Sequence, residues 1–389
     1  MKKAILIGGS SGIGLSLLDN LMQRGYFVYV FGINMPDKNL LRSENFSFKN
    51  LDLANLDINE FENLKDDDEI DVLMICSGFG RVAHFSNLSI TEIDKLMSVN
   101  ATSVIKIIRY FYDKMSSKNV FYTGIMGSIA GVISSPLFSV YGASKSALNR
   151  FIESVNVELE KNGSCNKILN VSPGSIKGTS FNGEKTSLEM LKDLSNEILD
   201  NLFSKNELFI PKYDEIYKSV LNRYNENPKK FGLESYDYKI NSNRLCDEKK
   251  ETIVGYLSGT FDLFHIGHLN LLKRAKEHCD YLIVGIHPSA AHKGKETFIP
   301  FEERMQIVGA CKYVDKVIPS LPEDNEVWNL HKYHRLFVGS DYEGTERFKR
   351  YEKYFEDKGV KIVYFPYTQG TSSTKLREAL TKINNKEAK

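Results

Sequence analysis

The sequence predicts two doubly wound α/β domains, each built on a parallel sheet. Apolar runs of strand length alternate with helical patterns twice along the chain. Each series begins with a strand that leads into a glycine-containing turn, which is typical of such domains. The length of 389 residues also exceeds that of one typical domain. The two halves share this architecture but no repeated sequence.

The first series supplies six strands and a late extended segment, which suit one doubly wound sheet. The predicted strands are residues 3–8, 27–33, 46–53, 71–78, 119–128 and 167–174, and the extended segment lies near 208–211. Helical patterns fall between the strands, for example at 91–116 and 141–161.

The pattern dissolves from about residue 222 to 251, where polar residues dominate and Pro228 and Gly232 act as breakers. This composition predicts a linker. We set the domains at 1–240 and 253–389, with the linker at 241–252. The second series predicts strands at 253–259, 280–287, 316–320, 335–341 and 361–366, and helices near 267–279, 301–313, 346–359 and 372–380.

Charge and apolar content exclude several classes of partner. Lys plus Arg (51) and Asp plus Glu (50) nearly cancel, so neither nucleic acid nor an acidic membrane surface is an expected partner. No apolar run approaches the roughly 20 residues that span a bilayer, and the apolar start meets Gly8 and Gly9 too soon for a signal peptide. Five scattered cysteines without a Cys-x-x-Cys pair predict reduced thiols. We therefore expect a cytoplasmic protein.

One chemical constellation lies in the first series. The loop from Gly8 to Gly14 joins a strand to a helix, where backbone N–H groups can hold a pyrophosphate, although a plain tight turn is the alternative. Tyr141 and Lys145 share one helix face, and a cation beside a phenol lowers the tyrosine pKa. Ser128, at the end of the preceding strand, can hold a substrate oxygen there. A tyrosine packed in the core beside a solvated lysine is the alternative.

Together these residues resemble the short-chain dehydrogenase/reductase family over roughly residues 1–240. The resemblance implies an NAD(P)-binding Rossmann fold and hydride transfer between nicotinamide and a carbonyl carbon. It also implies that Tyr141 passes the proton and that Lys145 tunes it and binds the nicotinamide ribose. Ser128 and Asn100 complete the implied catalytic tetrad. The implied cofactor-binding residues are Gly8, Ser10, Gly12, Ile13 and Gly14 in the loop, Asp52 at the adenine, Gly78 after the fourth strand, and Pro173, Gly174 and Thr179 at the nicotinamide amide.

The sequence departs from that family at two supporting positions. Ile7 stands where the family usually has Thr, and Cys76-Ser77-Gly78 replaces Asn-Ala-Gly. After the second strand, residues 31–34 offer no carboxylate for a ribose 2′-hydroxyl, which favours NADP over NAD, although no arginine stands there either. The resemblance further implies dimers or tetramers through the helices near 91–116 and 141–161, and a substrate-covering segment from about 186 to 230.

A second constellation runs from Gly259 to His268, off a strand and into a helix. His265 and His268, separated by Ile266 and Gly267, can direct imidazole and backbone N–H groups at one phosphate. A metal site is the competing interpretation, but no third ligand stands at a recognisable spacing. A purely structural helix cap is the other alternative.

This segment resembles the glycerol-3-phosphate cytidylyltransferase family over nearly all of residues 252–381, which implies a Rossmann-like His-x-Gly-His nucleotidyltransferase fold. The Gly-Thr-Phe-Asp lead-in, the His-x-Gly-His core and the late segment 368–374 match in order. By that resemblance His265 and His268 stabilise the α-phosphate, and Mg²⁺ commonly bridges the phosphates of CTP. The implied nucleotide-binding residues are Thr260, Phe261, His265, His268, Lys293, Lys295, Arg304, Asp341 near the base, Ser373 and Thr374. Tyr367 stands where the family normally has Arg, so the acceptor can differ from glycerol 3-phosphate.

The two resemblances together predict a bifunctional enzyme. The first domain would reduce a keto-sugar phosphate to an alditol phosphate, and the second would couple it to CTP. Ribulose 5-phosphate to CDP-ribitol is the preferred case, CDP-glycerol or another CDP-polyol is an alternative, and teichoic acid or capsule-type polymers are the expected destination. A reductase of an unrelated metabolite with an independent nucleotidyltransferase domain is a further alternative. A non-enzymatic sensor is disfavoured because both catalytic spacings are intact.

Overall fold

The computed structural model describes residues 2–179, 184–242, 245–246, 252–289, 296–366 and 376. The chain divides into two units, Met1–Lys250 and Glu251–Lys389. Each unit contains one parallel sheet, which confirms the predicted fold class. No helix in the described part of the chain is long and apolar enough to cross a bilayer.

The sheet of the first unit has the strand order β3-β2-β1-β4-β5-β6-β7, with every pairing parallel. Its strands are β1 (Lys3–Ile7), β2 (Phe27–Gly32), β3 (Phe46–Asn50), β4 (Ile70–Ile75), β5 (Tyr122–Met126), β6 (Ile168–Val171) and β7 (Leu208–Phe209). Its helices are α1 (Gly12–Gln23), α2 (Glu62–Lys65), α3 (Ile90–Met97), α4 (Ser103–Ser116), α5 (Ser139–Lys161), α6 (Leu188–Phe203), α7 (Lys218–Glu226) and α8 (Pro228–Asn241). The six predicted strands and the late segment are present, with shorter ends.

Helices cover both faces of this sheet because successive side chains of a strand point to opposite sides. On β1, Ile5 and Ile7 belong to one apolar core, whereas Ala4 and Leu6 belong to the other. The chain order reverses between β1 and β4, so the carboxyl ends of these strands border the crevice where ligands of doubly wound folds bind.

Two sequence predictions for the first unit need correction. The predicted helix 91–116 is interrupted by a π-helical turn, Ser98–Thr102, between α3 and α4. The stretch 222–241, predicted as part of a linker, is mostly helical. Pro228 occupies the start of α8, where its missing N–H costs nothing, and the Asn227 side chain caps that helix by accepting from the Lys230 N–H.

The second unit has a five-stranded parallel sheet in the order β10-β9-β8-β11-β12. Its strands are β8 (Val254–Gly259), β9 (Tyr281–Ile286), β10 (Lys316–Pro319), β11 (Arg335–Gly339) and β12 (Lys361–Phe365). Its helices are α9 (Ile266–Glu277), α10 (Phe301–Gly309), α11 (Asp324–His331) and α12 (Glu346–Phe355). Helix α11 is an addition to the predicted elements, and the predicted helix 372–380 lies outside the described residues apart from Leu376.

Candidate active sites

The glycine loop lies between β1 and α1 at the carboxyl edge of the first sheet. A Cβ on Gly14 would overlap the Gly8 carbonyl oxygen, so the tight turn requires glycine there. The Gly12 N–H donates to the Thr186 hydroxyl at 2.9 Å, and the first turn of α1 carries no acidic residue. A diphosphate fits this loop because backbone donors and the positive end of the helix dipole meet there.

The structure also places the other predicted cofactor residues. Ser10 and Ile13 are half-buried, and Thr179 packs against Gly12 while its hydroxyl donates to the Ile176 carbonyl at 2.8 Å. Asp52 follows β3, and its carboxylate accepts from the Ala54 N–H at 2.9 Å as a helix cap. An adenine contact for Asp52 therefore stays a prediction.

The four predicted catalytic residues converge at the same edge. Tyr141 is hydrogen-bonded to Ser128, and the Lys145 Nζ lies 5.8 Å from the centre of the Tyr141 ring. A Cβ on Gly78 would lie 3.2 Å from the Lys145 Nζ and 3.3 Å from the Asn100 Oδ1. Gly78 thus keeps open a narrow space beside the tetrad.

Asn100 lies in the π-helical turn that the sequence pattern did not predict, and its side chain is held by hydrogen bonds. Its Oδ1 accepts from the Phe79 N–H at 3.0 Å, and its Nδ2 donates to the Phe79 carbonyl at 2.8 Å. Asn100 also donates to the Ser144 hydroxyl at 3.2 Å. The amide therefore fixes the loop after β4 against helix α5.

The electrostatics of the pair differ from the expectation that Lys145 lowers the tyrosine pKa. Burial raises the pKa of Tyr141 to about 12, and the hydrogen bond with Ser128 offsets only part of this rise. Burial also lowers the pKa of Lys145 to about 8, and its Nζ donates to the Met126 carbonyl at 2.8 Å. The phenol is therefore protonated at neutral pH, as a proton donor for carbonyl reduction must be.

The predicted nicotinamide segment lies against the tetrad. The Pro173 carbonyl accepts from the Ile129 N–H at 3.1 Å and from the Ser128 hydroxyl at 3.5 Å. Gly174 follows directly, and a Cβ there would overlap the hydroxyl of Tyr217. The turn after β6 is thus tied to Ser128.

Sequence reasoning did not find three residues of this site. The Thr186 hydroxyl accepts from the Gly12 N–H of the glycine loop. Phe138 stacks on Tyr141 with ring centres 4.2 Å apart, and Tyr217 covers Gly174. Each comes from a loop or helix start without a motif, so only the folded chain brings it to the site. Gly80 also borders this site, because a Cβ there would crowd both Tyr141 and Phe138.

The two predicted histidines meet at the start of α9 in the second unit. His265 is the residue before the helix, and its Nδ1 accepts from the Gly267 N–H at 3.1 Å. The rings of His265 and His268 stack with centres 3.9 Å apart and planes 20° apart. Burial lowers the pKa of His265, so the neutral ring carries its hydrogen on Nε2 and can donate there.

The loop before this helix holds an unusual backbone. Phe261 and Leu263 have φ angles of 51° and 50°, a left-handed conformation that side chains disfavour and that clusters at functional sites. Phe261 packs on His268 with ring centres 5.0 Å apart. The Thr260 hydroxyl is buried and has no hydrogen-bond partner among the described residues, so it can form a hydrogen bond with a bound ligand.

Arg304, which is predicted to bind the nucleotide, makes contacts with the backbone. It is fully buried, and its guanidinium donates to the carbonyls of Ile299, Thr260, His287 and Pro288 at 2.6–3.0 Å. A direct grip on the nucleotide does not fit this arrangement, because four N–H groups are already committed. Arg304 instead holds together the loops after β8 and β9.

Among the remaining predicted residues of this site, the structure describes Asp341. Asp341 follows β11, is exposed, and turns its carboxylate back towards Gly339. Lys293, Lys295, Ser373 and Thr374 lie outside the described residues. Within the described ranges, no group of three His, Cys, Asp or Glu side chains is placed to hold a metal ion.

Comparisons with known proteins divide the chain in the same way. The short chain dehydrogenase family model matches residues 2–189, and the cytidylyltransferase-like family model matches residues 256–379. Glycerol-3-phosphate cytidylyltransferase of Bacillus subtilis is 35% identical over 126 residues, which is 31% of this chain and 92% of that protein. A probable short-chain type dehydrogenase/reductase of Helicobacter pylori is 26% identical over 261 residues, covering 64% of this chain and 90% of that protein.

One solved structure supports the fold of the first unit. The short-chain dehydrogenase/reductase of Burkholderia phymatum in complex with NAD has a TM-score of 0.50 and 15% identity, covering 59% of this chain and 96% of that one. The folds and matches define a two-domain enzyme. The chain belongs to the cytidylyltransferase-like family through its C-terminal domain, and its N-terminal domain matches the short chain dehydrogenase family model.

Proposed function

We propose that this enzyme reduces a keto-sugar phosphate with NADPH to an alditol phosphate and then couples that product to CTP, giving a CDP-alditol and pyrophosphate. The observation that carries the proposal is the presence of two assembled sites in one chain. Tyr141 and Ser128 are hydrogen-bonded beside Lys145, and His265 stacks on His268 at a helix start. The proposed domains are residues 1–240 and 253–389.

In the reductase site, the bound nicotinamide supplies the hydride. The Tyr141 phenol gives its proton to the substrate carbonyl oxygen. The Ser128 hydroxyl, which is hydrogen-bonded to Tyr141, binds the same oxygen. Lys145 places a donor beside the phenol, and Asn100 fixes the loop that carries Gly78. The end of β2 favours NADP, because Ile33 there is exposed and residues 31–34 hold no carboxylate for a 2′-hydroxyl.

In the nucleotidyltransferase site, an oxygen of the alditol phosphate attacks the α-phosphorus of CTP, and pyrophosphate leaves. His265 and His268 donate to the α-phosphate oxygens as negative charge builds on them. The N–H groups at the start of α9 add a positive potential. Mg²⁺ neutralises the triphosphate when bound; such ions are usually held through substrate phosphates rather than by a dedicated protein cage.

Ribulose 5-phosphate, giving ribitol 5-phosphate and CDP-ribitol for a cell-surface polymer such as a capsule, is the preferred case. The similar Bacillus subtilis protein bears the name of an alcohol phosphate, which supports an acceptor of that class. Dihydroxyacetone phosphate and CDP-glycerol, or another CDP-polyol, are the alternatives. We further propose a cytoplasmic homo-oligomer that binds neither nucleic acid nor membranes.

The competing function is a reductase of an unrelated metabolite whose attached domain works independently. The full chain is incubated with NADPH, CTP, Mg²⁺ and ribulose 5-phosphate, while cofactor absorbance and pyrophosphate are followed, beside a tube without NADPH. Pyrophosphate that appears only with NADPH supports the coupled order. Absence of both signals rules out ribulose 5-phosphate, and the assay then moves to dihydroxyacetone phosphate and other keto-sugar phosphates.

A further inference from the structure

Tyr217 is the most buried residue of the π-helical turn that follows β7. The chain leaves β7 beside β6 and forms a π-helical turn, Tyr213–Tyr217, that begins after the left-handed Lys212. Tyr213 and Ile216 of this turn are 42% and 44% exposed, whereas Tyr217 is half-buried. The turn thus carries a single phenol back to the edge of the sheet.

The Tyr217 phenol is connected to the proposed reacting position through the turn after β6. Its hydroxyl lies so close to Gly174 that any larger residue there would displace it. The neighbouring Pro173 carbonyl accepts from the Ser128 hydroxyl, and Ser128 is hydrogen-bonded to Tyr141. A continuous series of contacts therefore links Tyr217 to the proposed proton donor.

The hydrogen-bonding state of Tyr217 leaves it a donor. Its phenolic oxygen interacts with the backbone of Ser175, and this bond opposes the rise in the Tyr217 pKa that burial causes, as an N–H donor to that oxygen does. A hydroxyl whose oxygen accepts from an N–H still has its own hydrogen to give. That hydrogen can be directed at a polar group that enters between Gly174 and Tyr141.

We propose that Tyr217 donates a hydrogen bond to a substrate hydroxyl next to the reacting carbonyl, and so selects hydroxyketones over plain ketones. This inference rests on the proposed reductase function. It explains why a glycine faces a tyrosine at this point: the small residue lets the phenol approach the turn after β6. A phenylalanine at position 217 would keep the packing and remove only the donor.

The test compares Tyr217→Phe with Tyr213→Phe, which removes an exposed hydroxyl from the same turn. In the full-length protein we expect Tyr217→Phe to lower kcat/KM for the keto-sugar phosphate about tenfold, through KM, because one neutral hydrogen bond is lost. The dissociation constant of NADPH, measured from its fluorescence, should stay within about twofold of the wild-type value. In Tyr213→Phe both kcat/KM and this dissociation constant should stay within about twofold of wild type. Equal behaviour of the two variants, or a loss confined to NADPH binding, would overturn the proposal.

A second arm needs no sugar phosphate and separates this inference from the proposed function. Hydroxyacetone and acetone differ by one hydroxyl, so the ratio of their kcat/KM values measures recognition of that group. We expect the wild-type protein to prefer hydroxyacetone and Tyr217→Phe to lose this preference. If this ratio is the same in the wild-type protein and in Tyr217→Phe, the role of Tyr217 is overturned. If the ratio changes but no keto-sugar phosphate is reduced, only the proposed substrate is overturned.

Discussion

The two candidate sites differ most in their exposure to solvent. Ser128, Tyr141, Lys145 and Asn100 are all less than 10% exposed, whereas His265 and His268 are only half-buried. Proton and hydride transfer benefit from a site that excludes water. Transfer to a triphosphate needs an opening large enough for two charged substrates and depends mainly on positioning. The burial of each site therefore matches the chemistry proposed for it.

Burial also sets the charge of each site in a different way. In the reductase site it raises the pKa of Tyr141 to about 12 and lowers that of Lys145 to about 8, so a protonated phenol lies beside an amine that titrates near physiological pH. In the transferase site it lowers the pKa of His265, whose Nδ1 accepts from the Gly267 N–H. The first site is adapted to move a proton and the second to donate hydrogen bonds.

Separate knockouts test whether the two sites are independent. Tyr141→Phe removes the proton donor, so NADPH oxidation should fall on the order of 10³-fold while CTP turnover persists. His268→Ala should lower CTP turnover by a similar factor and spare the reductase. Each activity, assayed on the same protein preparation, is the control for the other. Loss of both activities in either folded variant would contradict two separate sites.

Arg304→Met tests whether the transferase site depends on buried support. Four carbonyls would lose their donor, and each unsatisfied buried group costs about 1–3 kcal/mol. We expect the second unit to unfold several kcal/mol more easily in urea and CTP turnover to fall. The exposed Arg350→Met on α12 is the matched control. Lost CTP affinity at an unchanged unfolding midpoint would instead indicate direct nucleotide binding.

The sequence predicts strands and catalytic spacings better than it predicts their supports. Parallel strands such as β4, which is apolar from Val72 to Ile75, are recognised from short runs, and Tyr141 and Lys145 lie on one helix turn, so both features are local. The four carbonyls bound by Arg304 come from separate loops, and no local pattern reports them. Pro228 has the appearance of a breaker in sequence, yet it begins a helix, because proline is tolerated at that position alone. Burial, which reversed the expected pKa of Tyr141, is likewise a property of the whole fold.

Lys145→Met measures the cost of withdrawing the reductase site from water. Because the pKa of Lys145 is about 8 in the folded protein against 10.5 ordinarily, the unfolded chain binds more protons between these values. Wild-type stability from this residue should therefore rise as pH increases from 8 to 10.5, by roughly 3 kcal/mol in all. The variant should lack this rise and also lose reductase activity. Urea unfolding of both proteins at pH 7 and pH 9.5 gives the comparison, and parallel pH dependence would contradict it.

The smallest expected effect concerns the helix that closes the first unit. Lys239 on α8 donates to the Pro136 carbonyl at 2.8 Å and to the Ser135 hydroxyl at 2.9 Å. The next residue, Leu137, has a left-handed φ of 62°, and its carbonyl accepts from the Ala83 N–H. Phe138 then stacks on Tyr141. The lysine thus holds the loop that positions the ring against the proposed proton donor.

Lys239→Met should therefore lower reductase kcat about tenfold, equivalent to about 1.4 kcal/mol, and leave the KM for NADPH unchanged. The physical reason is that Phe138 loses its fixed position and Tyr141 samples more orientations, whereas the glycine loop is untouched. Lys229→Met, an exposed change on the same helix, is the control. Steady-state kinetics of both variants test this prediction. If the two variants have the same kcat, α8 contributes to folding alone and the arrangement of the buried reductase site does not depend on Lys239.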